Sequence, residues 1–371
     1  MVIRGEDLKK PTYTILRTLN EGTTAICHLA YHDIFQRDVV QKTVSLLGLD
    51  DALAYREPKM LDEIKHEHIV EVKEAQWDPE YREVSGVTFT MPYYSGGSLL
   101  KVLQEDASFS LGHAIDLGCQ VLDALHYLHA EQKLVHRDVK PGNVFLSEDL
   151  RKAYVGDLGS AASIEEKGYS EARGGTPLYM PPEFAQGTYG IAGDIYGAGM
   201  ILLELVNGRL PYEYIDHNDV VRRNKEGKRS LPERLLVPDV HAPDRLCRII
   251  KSMLNERPDK RPKSALTVKK ELQQVSHLDW RKVPGEDLVW TGQKAHKVKS
   301  GRDRYFEVKA KLVSRGINAG QFQLSARWRF RNAETWRGMP SISVLTSKDD
   351  VGSWRNFFKS VSEQAQRWAA K

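Results

Sequence analysis

The segment Leu134-Val135-His136-Arg137-Asp138-Val139-Lys140-Pro141-Gly142-Asn143-Val144-Phe145-Leu146 constrains this chain more than any other. Between two apolar runs it sets a carboxylate, an ammonium and an amide: Asp138, Lys140 and Asn143. A second carboxylate, Asp157 in Val155-Gly156-Asp157-Leu158-Gly159, follows Asp138 by 19 residues after a strand-like run. A carboxylate can orient a hydroxyl and take its proton, and carboxylate and amide oxygens suit a hard divalent cation. A lone Asp-x-Lys would be an ordinary charged loop. The ordered set is more specific than that.

At 371 residues the chain is long for one domain and short for three, so two domains are expected. Residues 281–371 carry 19 Lys/Arg against 8 Asp/Glu, a net +11, which leaves −7 for residues 1–280. Six of the seven tryptophans also lie at or beyond Trp280, so the two parts differ in kind. Cys27, Cys119 and Cys247 are far apart and form no CxxC pair, which argues against a disulfide framework or a zinc site and for a reducing, cytoplasmic setting. No run reaches the length of a membrane span, and no membrane partner is expected.

Residues 12–48 and 68–94 hold short β-branched and aromatic runs, with a helical stretch near 58–65. From about residue 99 the pattern turns helical, with Ala114, Leu117, Val121, Leu125 and Leu128 at three- and four-residue steps. Between the two regions, Pro92-Tyr93-Tyr94-Ser95-Gly96-Gly97-Ser98 has the chemistry of a hinge, and Ser98 is placed to cap a helix from Leu99.

Together these motifs resemble those of eukaryotic-type serine/threonine protein kinases over about residues 12–274. The resemblance implies an α+β, bilobal fold: an antiparallel small lobe with one helix (about 12–94) and a mainly helical large lobe (about 95–280). It also implies transfer of the ATP γ-phosphate to protein Ser/Thr hydroxyls. Asp138 would receive the hydroxyl proton, Lys140 would reach the transferred phosphate, and Asn143 and Asp157 would hold Mg2+. Lys42, in Val39-Val40-Gln41-Lys42, would pair with the ATP phosphates and with Glu57. Gly22, Cys27, Val40, Met91 and Tyr93 would complete the nucleotide site. Two departures stand out. The loop Asn20-Glu21-Gly22-Thr23-Thr24-Ala25 keeps one of three expected glycines, and Pro58 suggests that the helix bearing Glu57 starts there. These departures support an alternative, a pseudokinase scaffold that binds nucleotide without efficient transfer.

Between Asp157 and Glu183 lies a segment of activation-loop length ending in Gly175-Thr176-Pro177-Leu178-Tyr179-Met180-Pro181-Pro182-Glu183. By resemblance, Thr176 sits beside Asp138 and Lys140, Ser163, Ser170 and Thr176 are candidate self-phosphorylation sites, and Arg137 binds a phosphorylated loop. Asp194 would brace the catalytic loop, and Arg261 would close onto Glu183. Residues 281–371 resemble no family known to us. Strands near 304–314, 321–330 and 341–345 and a final helix suggest a small basic α+β domain. Alternation in Ala326-Arg327-Trp328-Arg329-Phe330-Arg331 puts three arginines on one face and the aromatics inward. Substrate docking or autoregulation therefore ranks ahead of a nucleic-acid partner.

Overall fold

Alternating β-branched strands broken at Gly and turn residues build the first lobe. The computed structural model describes residues 12–21, 25–45, 51–77, 86–105, 107–165, 168–172, 175–283, 288–293 and 303–369. Strands β1 (Tyr13–Glu21), β2 (Ala25–His32), β3 (Arg37–Ser45), β4 (Glu74–Trp77) and β5 (Gly86–Pro92) form an antiparallel sheet in the order β1-β2-β3-β5-β4. Gly22 and the glycine-loop expectation resting on it lie outside the described residues. Helix α1 spans Asp51–Glu63 with Pro58 in its interior. The expectation that the helix begins at Pro58 is therefore corrected. One missing N–H and one ring clash do not end a helix whose following residues pack as Leu61 and Ile64 do, at 1% exposure each.

The large lobe contains α2 (Leu99–Gln104), α3 (Leu111–Ala130), β6 (Leu134–Val135), β7 (Val144–Leu146), β8 (Ala153–Val155), β9 (Ala162–Ser163), β10 (Tyr169–Glu171), β11 (Thr188–Gly190), α4 (Ile191–Asn207), α5 (His217–Lys225), α6 (Asp244–Met253) and α7 (Ala265–Gln273). Ser98 caps α2 as expected, its side chain accepting from the Lys101 N–H. Every residue of α4 from Gly193 to Val206 is buried, which fits its all-round apolar sequence and makes it the axis of this lobe.

The C-terminal part is a sheet in the order β12 (Arg281–Val283), β13 (Leu288–Gln293), β14 (Arg304–Leu312), β15 (Phe322–Phe330) and β16 (Arg337–Gly338), with β17 (Val344–Thr346) also pairing β15. Helix α8 (Val351–Ala369) joins it in a second core of Trp290, Phe306, Val308, Leu324, Trp354, Phe357, Phe358 and Val361. Leu278 and Trp280 belong to that core, so packing draws them to the C-terminal side of a boundary the charge pattern puts at 280/281. Gly292 permits this. A Cβ there would lie 2.4 Å from the Trp280 ring. The same segment caps α3: Gly112 N–H donates to Asp279 Oδ1 (2.7 Å), and Leu111 N–H to the Trp280 carbonyl (2.8 Å).

Candidate active site

The roof of the site follows from strand register. Lys42 lies opposite Cys27 on one side and Phe89 on the other, while Val40 lies opposite Leu29 and Met91. Cross-strand partners share a face, so Cys27, Val40, Lys42 and Met91 line one side of the sheet, as the nucleotide assignment requires. Tyr93 follows the end of β5 in the hinge. Gly96 is needed there because a Cβ would come within 2.2 Å of the Ser147 carbonyl, and the hinge is sewn to β7 by Leu146 N–H donating to the Gly97 carbonyl (2.9 Å).

Lys42 Nζ donates to Glu57 Oε1 and Oε2 (2.9 and 2.8 Å) and to Asp157 Oδ1 (2.8 Å). Thus α1 delivers Glu57 despite Pro58. Burial alone would lower the Lys42 pKa, but the two carboxylates outweigh it and hold the ammonium protonated. Asp157 responds in kind: burial would raise its pKa, and Lys42 brings it below the ordinary value. Asp157 has φ +60°, a left-handed backbone that presents its carboxylate to Lys42, while Leu158 turns into the core with no exposure. Leucine thus fills the apolar slot after Asp157.

Asp138 sits at the centre of the second cluster. Lys140 Nζ donates to Asp138 Oδ2 (2.6 Å) and to Thr176 Oγ1 (2.6 Å), and Thr176 Oγ1 donates to Asp138 Oδ1 (3.1 Å). Asn143 Nδ2 donates to the Asp138 carbonyl and to Oδ2 (2.9 and 3.0 Å). The loop is held from below by Asp194, which accepts from the His136 and Arg137 N–H groups (2.8 and 3.0 Å). Burial would raise the Asp194 pKa. Hydrogen bonds from His129 Nε2 (2.8 Å) and the loop amide hold it down instead, so it stays a carboxylate. His136 Nε2 lies 3.0 Å from the Gly156 carbonyl and joins this loop to the strand end that carries Asp157.

The sequence matches the family described as "Protein kinase domain" over residues 13–277. The chain belongs to the protein kinase family. It is 31% identical over 266 residues to serine/threonine-protein kinase Nek4 of Mus musculus, covering 69% of this chain and 32% of Nek4. It is 30% identical over 300 residues to the DNA damage-responsive serine/threonine-protein kinase RqkA of Deinococcus radiodurans, covering 79% of this chain and 42% of RqkA. With serine/threonine-protein kinase PksC of Streptomyces coelicolor it shares 32% identity over 224 residues, covering 56% of this chain and 39% of PksC. The match thus spans well under half of each of these relatives.

Other parts of the kinase that the sequence points to also meet. Arg261 forms two 2.7 Å bonds to Glu183. Arg137 donates to the carbonyls of Ser160 and Glu171, the latter at 2.7 Å. Ser163 is exposed in β9, whereas Ser170 is 4% exposed and donates to the Tyr189 carbonyl (3.3 Å), so in this conformation only the former presents its hydroxyl. Sequence reasoning missed His129, a single histidine on the buried face of α3 with no signal of its role. It also missed Glu204, a buried carboxylate that accepts from Tyr179 (2.8 Å) and Tyr212 (2.5 Å) and so anchors the turn following Thr176. A glutamate inside a helix whose only other charged residue is Asp194 was the available clue.

Gly197 of α4 packs on the catalytic loop, where a Cβ would lie 2.6 Å from the Val139 carbonyl oxygen. Gly197→Ala is expected to destabilise the kinase by about 1–3 kcal/mol, because backbone on both sides must separate. Thermal unfolding reads the loss, and a fall in turnover beyond it reports displacement of Asp138.

Proposed function

We propose that this chain is a serine/threonine protein kinase that transfers the γ-phosphate of Mg-ATP to hydroxyls of protein substrates. The observation that carries this reading is the Thr176 hydroxyl donating to Asp138 while Lys140 reaches both. A hydroxyl and its proton acceptor already sit together, with the cation that would neutralise the phosphoryl oxygens beside them. In the transfer step the substrate hydroxyl oxygen bonds to the γ-phosphorus as the bond to the ADP oxygen breaks, and Asp138 takes the proton. Lys42, fixed by Glu57, holds the nucleotide phosphates.

The residues present fit a divalent cation. Asp157 uses Oδ1 for Lys42 and retains Oδ2, and Asn143 directs its amide nitrogen to Asp138 and retains Oδ1, so two hard oxygen donors remain. Such a cation, when bound, supplies neutralisation of phosphate charge. The closed Lys42–Glu57 pair favours transfer over the pseudokinase alternative. Ser163, exposed in the activation segment, is the self-phosphorylation site this geometry favours. Residues 281–371 are read as a docking domain, because they meet the kinase domain at Ser108, Pro238 and Asp244. The test is radiolabel transfer from Mg-ATP to the chain itself and to a generic protein. Wild type labels both and Lys42→Met labels neither. Equal label in the two would sink the reading, and mass spectrometry locates the phosphate.

A further inference from the structure

Helix α8 and the second hydrophobic core lie on one face of the C-terminal sheet, and among the described residues no element covers the other. Alternation sends Phe306, Val308, Leu324 and Trp328 inward. It sends Tyr305, Lys309, Lys311, Arg327 and Arg329 to the open side. Tyr305 lies opposite Arg329 in the register, and the Arg329 guanidinium lies 5.4 Å from its ring. Trp336, just before β16, takes the same side: Arg327 and Arg329 sit 4.7 and 5.1 Å from its ring. A half-buried row of alternating rings and guanidinium groups therefore crosses the open face. The inward placement read from the sequence holds for Trp328 and does not extend to Tyr305 and Trp336, which lie outside the Ala326 to Arg331 segment.

The charge on this face is one-sided. Arg327, Arg329, Arg331, Lys309 and Lys311 stand against Glu307, which is 8% exposed and bonded to Arg327 Nε (2.5 Å), and against Asp303 at the rim, 3.7 Å from Arg331. Along β15 the arginines recur at every second residue, roughly 6.8 Å apart in an extended strand. An acidic peptide would use the cations alone. Rings stacked with guanidinium groups on an open sheet face add platforms that bases use.

We propose that this open face binds single-stranded nucleic acid, with phosphates on the arginines and lysines and bases stacked against Tyr305 and Trp336. The acidic balance of residues 1–280 leaves the C-terminal sheet as the place where such a strand is attracted rather than repelled.

Fluorescence anisotropy of the full chain with labelled oligothymidine and oligouridine of about twenty residues, and with poly-glutamate of similar charge, tests this. Oligonucleotide binding is expected at about 50 mM salt, weakening steeply toward about 200 mM, with poly-glutamate bound far more weakly. A preference for the thymidine or the uridine strand assigns the ligand to DNA or RNA, and either supports the proposal. Trp336→Ala weakens binding about tenfold or more through lost stacking. The pair Lys311→Glu and Arg331→Glu, at exposed positions, weakens it and flattens the salt dependence by about 0.7 in slope for each phosphate no longer neutralised. No binding at low salt, tighter binding of poly-glutamate, or wild-type affinity in both variants overturns the proposal. Phosphoryl transfer measured on the same preparations reports separately on the kinase site.

Discussion

Asp138→Asn lowers the rate of phosphoryl transfer by about 10²- to 10⁴-fold, with nucleotide affinity little changed. The size follows from what Asp138 touches: the Lys140 ammonium, the Asn143 amide and the Thr176 hydroxyl, all at 2.6 to 3.1 Å. Asparagine preserves the shape and removes the proton acceptor. It also withdraws the negative charge that holds Lys140 in place. Lys42, Glu57 and Asp157 form a separate cluster, so nucleotide binding survives. A loss confined to the transition state lowers kcat and kcat/KM together, which steady-state kinetics with varied ATP and substrate reads directly. Lys42→Met differs in kind, because it strips the ammonium proposed to hold the nucleotide phosphates and leaves Glu57, 6% exposed, and Asp157 facing each other without a cation. Equal rates in wild type and Asp138→Asn would remove the proton-acceptor role.

The parts of this site legible in the sequence are those whose chemistry forces a spacing. Asp138, Lys140 and Asn143 converge from a single short loop, so their offsets carry the information. Glu183 and Arg261 lie far apart in the chain and meet as expected, whereas the bond between Lys42 and Asp157 is not anticipated from their motifs. Pro58 misleads because local propensity is silent about the packing of Leu61 and Ile64, which holds α1 through the proline. His129 gives no signal, since one buried histidine on a helix face has many explanations and only the tertiary fold brings it to Asp194. Charge locates the change of domain near residue 280, yet Trp280 packs by shape into Gly292 and Phe358 beyond it, and charge is blind to shape. The outward aromatics are hidden for a related reason. Tyr305 and Trp336 acquire their common face only through the register of β14, β15 and β16.

Arg261→Ala is expected to destabilise the kinase domain by about 3–5 kcal/mol, visible as a drop in Tm of roughly 5–15 °C. Its side chain has no exposure and that of Glu183 has 7%, so deletion leaves a carboxylate buried without its counter-ion. The guanidinium also donates to the carbonyls of Ala192 (2.8 Å) and Asn255 (2.7 Å) and stacks on Tyr196 at 5.0 Å, and those partners lose a donor at the same time. The stranded charge, rather than the lost attraction, dominates. Glu183→Gln in the Arg261→Ala background therefore recovers part of the loss, since a neutral amide costs less to bury than a carboxylate. Urea midpoints of the single and double variants measure this coupling. Activity is expected to follow stability here, because Glu183 closes the segment that carries Thr176 to Asp138, and loosening that end frees the turn that follows Thr176. A double variant no more stable than Arg261→Ala would show that lost packing on Tyr196, not the unpaired Glu183 charge, sets the cost.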